Sequence, residues 1–311
     1  MGKIEAIRHN VRDFVGTRAR HRIAFVHVEG AKVVVSRMTG ALVRAFLVMV
    51  LVATPSVILP GIGTDTKQMV ALVALFAGGL TFAEYNATFP SLVEFRDAPP
   101  FNRVRFLMLF AIVFTLSVIA SAKASDAAFP RLFEALAILI GHSLDFPYSP
   151  VRLATLMMAD GASESQVVAV RTAAGTAYIL SLLSLAFFVL IFKLRGWPAR
   201  NHAFNVWVNL PTFEPTTGGD VVDRLVRDAR ANLALGALLP FLIPAVVSLA
   251  SVGFEPLTLT SPQTLIWTMT AWAFLPASLL MRGIAMGRIA TMIREKREQN
   301  GAVSGAAVVA G

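Results

Sequence analysis

Residues 172–192, TAAGTAYILSLLSLAFFVLIF, hold no charged side chain between Arg171 and Lys193. At 1.5 Å per residue such a stretch makes a helix of about 32 Å, enough to cross the hydrocarbon core of a bilayer. Five further stretches have the same character. The spans expected on this basis are about 45–63, 69–89, 104–122, 172–194, 231–254 and 262–282. The second is interrupted late by Glu84.

Composition agrees with this reading. Of 311 residues, 56% are hydrophobic and only 15% charged, against about 25% charged in ordinary soluble domains. Mean hydropathy is +0.66. A soluble fold could not bury this much apolar surface, and a disordered chain would not carry it. The expected fold is an all-α polytopic membrane protein with six transmembrane helices. The chain has no cysteine, which removes disulfides, thiolate nucleophiles and Cys-based metal sites.

Net charge is +9, and its distribution sets an orientation. With the N-terminus placed in the cytoplasm, 23 of the 28 Lys and Arg fall on the inner side and 5 on the outer side. The positive-inside rule therefore predicts both termini in the cytoplasm and a multi-pass protein of the cytoplasmic (inner) membrane. A seventh span at 132–146 is rejected, because its charge-free part runs only from Ala135 to Leu144. The first span follows more than forty residues of mixed sequence, so no cleaved signal peptide is expected.

Three regions follow. Residues 1–44 form a basic N-terminal segment, 45–299 the six-span membrane domain, and 300–311 a flexible tail. Ile4, Ile7, Val11, Phe14 and Val15 recur at helical spacing. This marks an amphipathic helix on the inner leaflet, with Lys3, Arg8, Arg12, Arg18, Arg20 and Arg22 offered to anionic lipid or a protein partner. Two β-branched runs, 22–28 and 31–37, flank Glu29-Gly30 and predict a β-hairpin. The alternating run 202–209 is a candidate third strand of a small cytoplasmic sheet. In the outer loop, 123–171, two short apolar runs surround a Pro-rich turn. They read as two helices on the outer surface in preference to a re-entrant hairpin.

Few residues suggest chemistry. Glu84-Tyr85-Asn86 is the one charged and polar cluster late in a span, and an ionisable group there is a functional candidate. Its competing reading is an interfacial salt bridge to Arg96, Arg103 or Arg105. Glu134, His142 and Asp145 form a second candidate cluster in the outer loop. Gly78-Gly79 reads as a close-packing site or a kink. Pro55, Pro60, Pro240, Pro244 and Pro276 each free a helix carbonyl, which transporters use to bind ions. Gly283 and Gly287 have GxxxG spacing, and Trp197 is placed as an interface anchor. No HExxH, Walker A, GxSxG or GxGxxG motif occurs. No catalytic residue, cofactor or metal site is expected. Nucleic acid is not expected either, since topology accounts for the basic clusters. The reading is a non-catalytic inner-membrane accessory or scaffold protein, docking a protein partner or anionic lipid through its cytoplasmic face. The alternative is a small-solute or ion transporter using the Pro-kinked spans and Glu84.

Overall fold

The computed structural model describes residues 36–124, 127–158, 161–195, 197, 209–213, 218–250 and 259–309. Every regular element among them is helical. They are α1 (Ser36–Ile58), α2 (Thr64–Asn86), α3 (Phe101–Ser121), α4 (Ala128–Ser143), α5 (Pro150–Thr155), α6 (Glu164–Arg195), α7 (Val221–Ala250) and α8 (Pro262–Val309). Six of these, all but α4 and α5, are long and apolar enough to cross a membrane.

The helices overrun the expected spans. α1 begins at Ser36 rather than near residue 45, and α6 at Glu164 rather than near 172, while α7 begins at Val221, in keeping with the helix that Gly218-Gly219 and the Asp220–Arg224 and Asp223–Arg227 spacings predict from about Asp220 into the fifth span. α8 continues to Val309, through most of the stretch read as a tail. A window without charges detects only the part of a helix that must lie in hydrocarbon. A helix can extend beyond it when its polar side chains serve its own backbone, as Arg44 does by donating from Nη1 to the Gly40 carbonyl at 2.7 Å. Ser36 and Arg37, read as the end of a hairpin strand, are thus the first described turn of α1. The rest of that hairpin and residues 202–208 of the third strand lie outside the described residues, as does the amphipathic segment carrying Lys3, Arg8, Arg12, Arg18, Arg20 and Arg22.

The two runs of the outer loop are helices, and they are packed rather than simply laid on the surface. α4 buries Ala137 and Gly141, while Leu132, Leu136 and Leu139 stay exposed. Its contact is with α6, at paired glycines. A Cβ on Gly175 would stand 2.6 Å from the Gly141 Cα, so only glycine permits this approach. α5 is sunk in the core through Val151 and Ala154, both fully buried. Its start is fixed by Pro150 in the first turn and by the Ser149 hydroxyl, which accepts from the Arg152 N–H at 3.0 Å.

α7 and α8 form the most closely packed antiparallel pair. A Cβ on Gly283 would come within 2.8 Å of the Ala229 carbonyl, so Gly283 is a close-approach position. Gly287, the other half of its GxxxG pair, has room for one, the nearest atom being 3.9 Å away. The same hairpin accounts for one of the prolines, Pro244. Pro244 has no N–H, so the carbonyl of Pro240 loses its helical partner. Trp272 of α8 supplies one, its buried Nε1–H donating to that oxygen at 3.1 Å. The freed carbonyl is therefore used to join two helices. Trp272→Phe keeps an aromatic ring, though a smaller one, and removes the donor. It should lower unfolding stability by at least about 1–3 kcal/mol, read as a reduced melting temperature in detergent, whereas a control truncation at an exposed aromatic, Phe76→Leu, should be close to neutral.

Candidate functional site

At one end of the bundle the chain between α2 and α3, residues 87–100, folds into a compact turn. Glu84 makes the turn possible. Its buried carboxylate accepts from the backbone N–H groups of Ser91, Leu92 and Val93 at 2.9–3.1 Å and from the Ser91 hydroxyl at 2.6 Å. Arg96 closes the other side. Its guanidinium donates to the carbonyls of Glu84, Ala87 and Thr88 at the end of α2, satisfying groups that a helix C-terminus leaves open. Glu84 and Arg96 thus act on the same turn through backbone groups. The structure places the Arg96 side chain on the Glu84 carbonyl, not in the side-chain ion pair read from the sequence.

Phe95 carries the turn into the core. Its backbone lies in the left-handed region, with φ of 52°, which is uncommon for an aromatic residue. Its N–H donates to the Asn209 carbonyl at 2.6 Å, and Asn209 Oδ1 accepts from the Asp97 N–H at 3.0 Å. The Phe95 ring lies 4.2 Å from that of Phe101 and 5.9 Å from that of Trp197. Phe192 stacks against Trp197 at 4.4 Å. Trp197 is 3% exposed and donates from Nε1 to the Ala98 carbonyl. It is a core residue of this end, in place of the interface anchor its position suggested.

Glu94 ties the same turn to α8. Arg282 donates to both its oxygens, at 2.6 and 2.8 Å, and the Thr212 hydroxyl adds a third bond at 2.6 Å. Burial acts to raise the Glu94 pKa, but the bonds from Arg282 and Thr212, with the charges of Arg282 and Arg105, outweigh it and leave the carboxyl below its ordinary value. The start of α1, loop 87–100, residues 197 and 209–213, and the cytoplasmic part of α8 as read from the sequence therefore share one end. Among the described residues, Arg37, Arg44, Arg96, Arg105, Arg282 and Arg288 gather there.

Beneath this turn lies an open cavity of about 640 Å³ between α1, α2, α3, α7 and α8. Tyr85, Glu94, Arg105 and Arg282 line its charged rim, and Val48, Leu239, Leu275 and Leu279, with the hydroxyls of Thr81 and Ser278, the part further along the helices. Arg105 is largely buried, with its guanidinium 5.3 Å from the Phe101 ring and 5.9 Å from that of Phe274. A smaller cleft of about 230 Å³ adjoins it across Tyr85 and is lined by Arg37, Arg44 and Arg96. Arg44 lies over the Tyr85 ring at 4.7 Å.

The candidate residues are distributed as follows. Glu84 serves the turn, Tyr85 separates the two cavities, and Asn86 is exposed. Gly78 is a close-packing position, where a Cβ would meet the Met49 side chain at 2.7 Å, and Gly79 faces open space. Glu134, His142 and Asp145 are not brought into one site. Glu134 lines a separate cavity of about 190 Å³ with Ser165 and Gln166. His142 is exposed. Asp145 is paired with Arg152 and, at 3.0 Å, with Arg171. Burial tends to raise its pKa, but these two partners hold it below the usual aspartate value. No group of three metal-ligating side chains occurs among the described residues. Glu94 and Arg282 were not singled out from the sequence as a pair, since they are 188 positions apart and neither belongs to a motif. No protein-family model, curated protein or solved structure matches the chain.

The Glu94 tie has a defined pH signature. Its stabilisation is complete above about pH 4.3, the ordinary glutamate value, and is lost as pH falls through that value toward the lowered folded one. Glu94→Gln should lower stability at neutral pH and flatten this acid limb in detergent melts. Arg282→Ala leaves a largely buried carboxylate and should cost about 3 kcal/mol. The double variant should cost less than the sum of the two single ones.

Proposed function

We propose that this chain is a non-catalytic integral membrane protein of accessory or scaffold type. It docks a protein partner or anionic lipid through the basic end of its bundle, which faces the cytoplasm, with both termini on that side of the inner membrane. The observation that carries this reading is how the carboxylates at that end are used. Glu84 and Glu94 accept four and three hydrogen bonds from the protein itself. They hold loop 87–100 as a fixed surface, and a carboxylate so engaged is poorly suited to exchange protons with a transported solute. The basic residues around them supply the surface charge. Such a surface attracts anionic partners and headgroups by about 1 kcal/mol per basic residue near the membrane.

The transporter reading is favoured by the cavity under the turn. Against it, the proline-freed carbonyl of Pro240 is occupied by Trp272, and below its rim the cavity is lined by no ionisable side chain.

The test compares two preparations from native membranes in mild detergent, the full chain and a form lacking residues 1–35, which leaves the described part of α1 intact. A partner recovered with the full chain at fixed stoichiometry, and lost from the truncated form, is the expected result. A lone particle that moves a solute across proteoliposomes overturns the reading. Orientation is tested separately, because every introduced thiol is unique in a chain without cysteine. Asp65→Cys should react with an impermeant maleimide on intact spheroplasts, and Glu298→Cys only after permeabilisation. The reverse pattern overturns the assigned orientation.

A further inference from the structure

Arg105 is the unexplained charge of this end. Its Nε is buried without a hydrogen-bond partner. Its guanidinium donates no hydrogen bond and makes no ion pair among the described residues; aromatic rings flank it on α3 and α8. Glu94 is the carboxylate beside it, and its oxygens are already taken by Arg282 and Thr212. The rim thus presents two guanidinium groups against one carboxylate. A buried cation that lacks a partner is costly, and a guanidinium offers a fork of donors matched to phosphate or carboxylate oxygens.

The rest of the cavity says what carries the anion. From Arg282 the lining runs along α8 past Leu279 and the Ser278 hydroxyl to Leu275, which is 52% exposed, and meets Leu239 of α7 and Val48 of α1. Seven residues of helix separate Arg282 from Leu275, a depth of about 10 Å. Those positions lie within the apolar spans, where the lining offers no further cation and, apart from the hydroxyls of Thr81 and Ser278, only apolar side chains. A charged rim over an apolar floor fits a molecule with an oxyanion head and a hydrocarbon tail. The Arg37, Arg44 and Arg96 cleft continues the basic rim on the far side of Tyr85.

We propose that this cavity binds one anionic phospholipid, its phosphate held by Arg105 with Arg282 beside it and the start of its acyl chain lying against Leu239, Leu275 and Leu279. This deepens, and rests on, the reading of the basic end as a docking surface.

The purified full chain, stripped of lipid, is titrated with phosphatidylglycerol, phosphatidylcholine and inorganic phosphate, with binding read by native mass spectrometry and by melting temperature. The expected result is one bound phosphatidylglycerol, held at least tenfold more tightly than phosphatidylcholine and not displaced by millimolar inorganic phosphate. Arg105→Gln should lose tenfold or more of that affinity and should melt no lower than the parent when lipid-free, because it removes an unpaired buried cation. Arg103→Gln, an exposed arginine on the same turn, should bind as the parent does. Leu275→Trp fills the floor without touching Arg105 and should likewise lose the lipid, which keeps the test decisive if Arg105→Gln does not fold. Equal binding of the two lipids, or unchanged phosphatidylglycerol affinity in both cavity variants, overturns the proposal. Inorganic phosphate that binds as tightly as the lipid overturns the assignment to a lipid. Partner recovery is scored on the same variants. A partner retained by Arg105→Gln while unchanged lipid affinity rules out the cavity leaves the docking reading standing, and a partner absent from the parent removes that reading instead.

Discussion

In the apolar slab of a membrane no water is present to complete an unfinished hydrogen bond, so each backbone polar group that enters must find a partner in the protein. Much of this fold follows from that constraint. Pro240 and Pro244 each leave a carbonyl open within α7, and for the one that Pro244 frees an indole on the neighbouring helix supplies the donor. α7 and α8 are thereby locked in register, and the close approach at Gly283 follows from the same alignment. At the end of α2 the constraint acts again. The carbonyls of Glu84 and Ala87 are closed by Arg96, and the Glu84 carboxylate collects the N–H groups of the turn that follows. The ionisable residues near the membrane edge are first of all the means by which the chain turns round.

Such a use of charge explains what could be read from the sequence. Charge-free windows locate the six spans, because hydrocarbon excludes unpaired charge wherever it occurs along the chain. They do not locate helix ends. Ser36–Arg44 and Glu164–Arg171 are helical although polar, since their side chains reach water or their own backbone. The site was legible only in fragments. Glu84 stood out as an acid late in a span, and Arg105 entered merely as one of its three candidate partners. Glu94 and Arg282 carry no local mark. Their pairing depends on α8 returning beside loop 87–100, a tertiary fact that spacing along the sequence does not encode. Phe95 was equally silent. Its left-handed backbone is held by Asn209, more than a hundred residues later.

The outer loop shows the limit of length arguments. Residues 132–146 are too short and too interrupted to cross a bilayer, and α4 with 16 residues is no spanning helix. Yet the segment is not peripheral either. The Gly141–Gly175 contact brings two backbones together more closely than any side chain would allow, and close backbone approach of this kind is a main source of helix association in lipid. Small residues in an apparently amphipathic run therefore report packing, even where hydropathy reports only surface.

Charge balance finally separates the two ends of the molecule. At the end that carries α4 and α5, Asp145 meets Arg152 and Arg171, two cations on one acid, but both arginines stand partly in solvent, where hydration completes them. At the basic end Glu94 meets Arg282 directly while Arg105 stands behind it between two rings. Arg105 is partly buried, and its Nε is sealed from solvent without a hydrogen-bond partner. An unpaired exposed arginine needs no explanation, because hydration satisfies it. An arginine enclosed at the mouth of an apolar cavity does, because replacing it with a neutral residue of similar shape would be the cheaper way to fill that space. Retention of a cation there is intelligible when its counter-ion comes from outside the chain, and the membrane itself is the nearest source of anions attached to apolar tails.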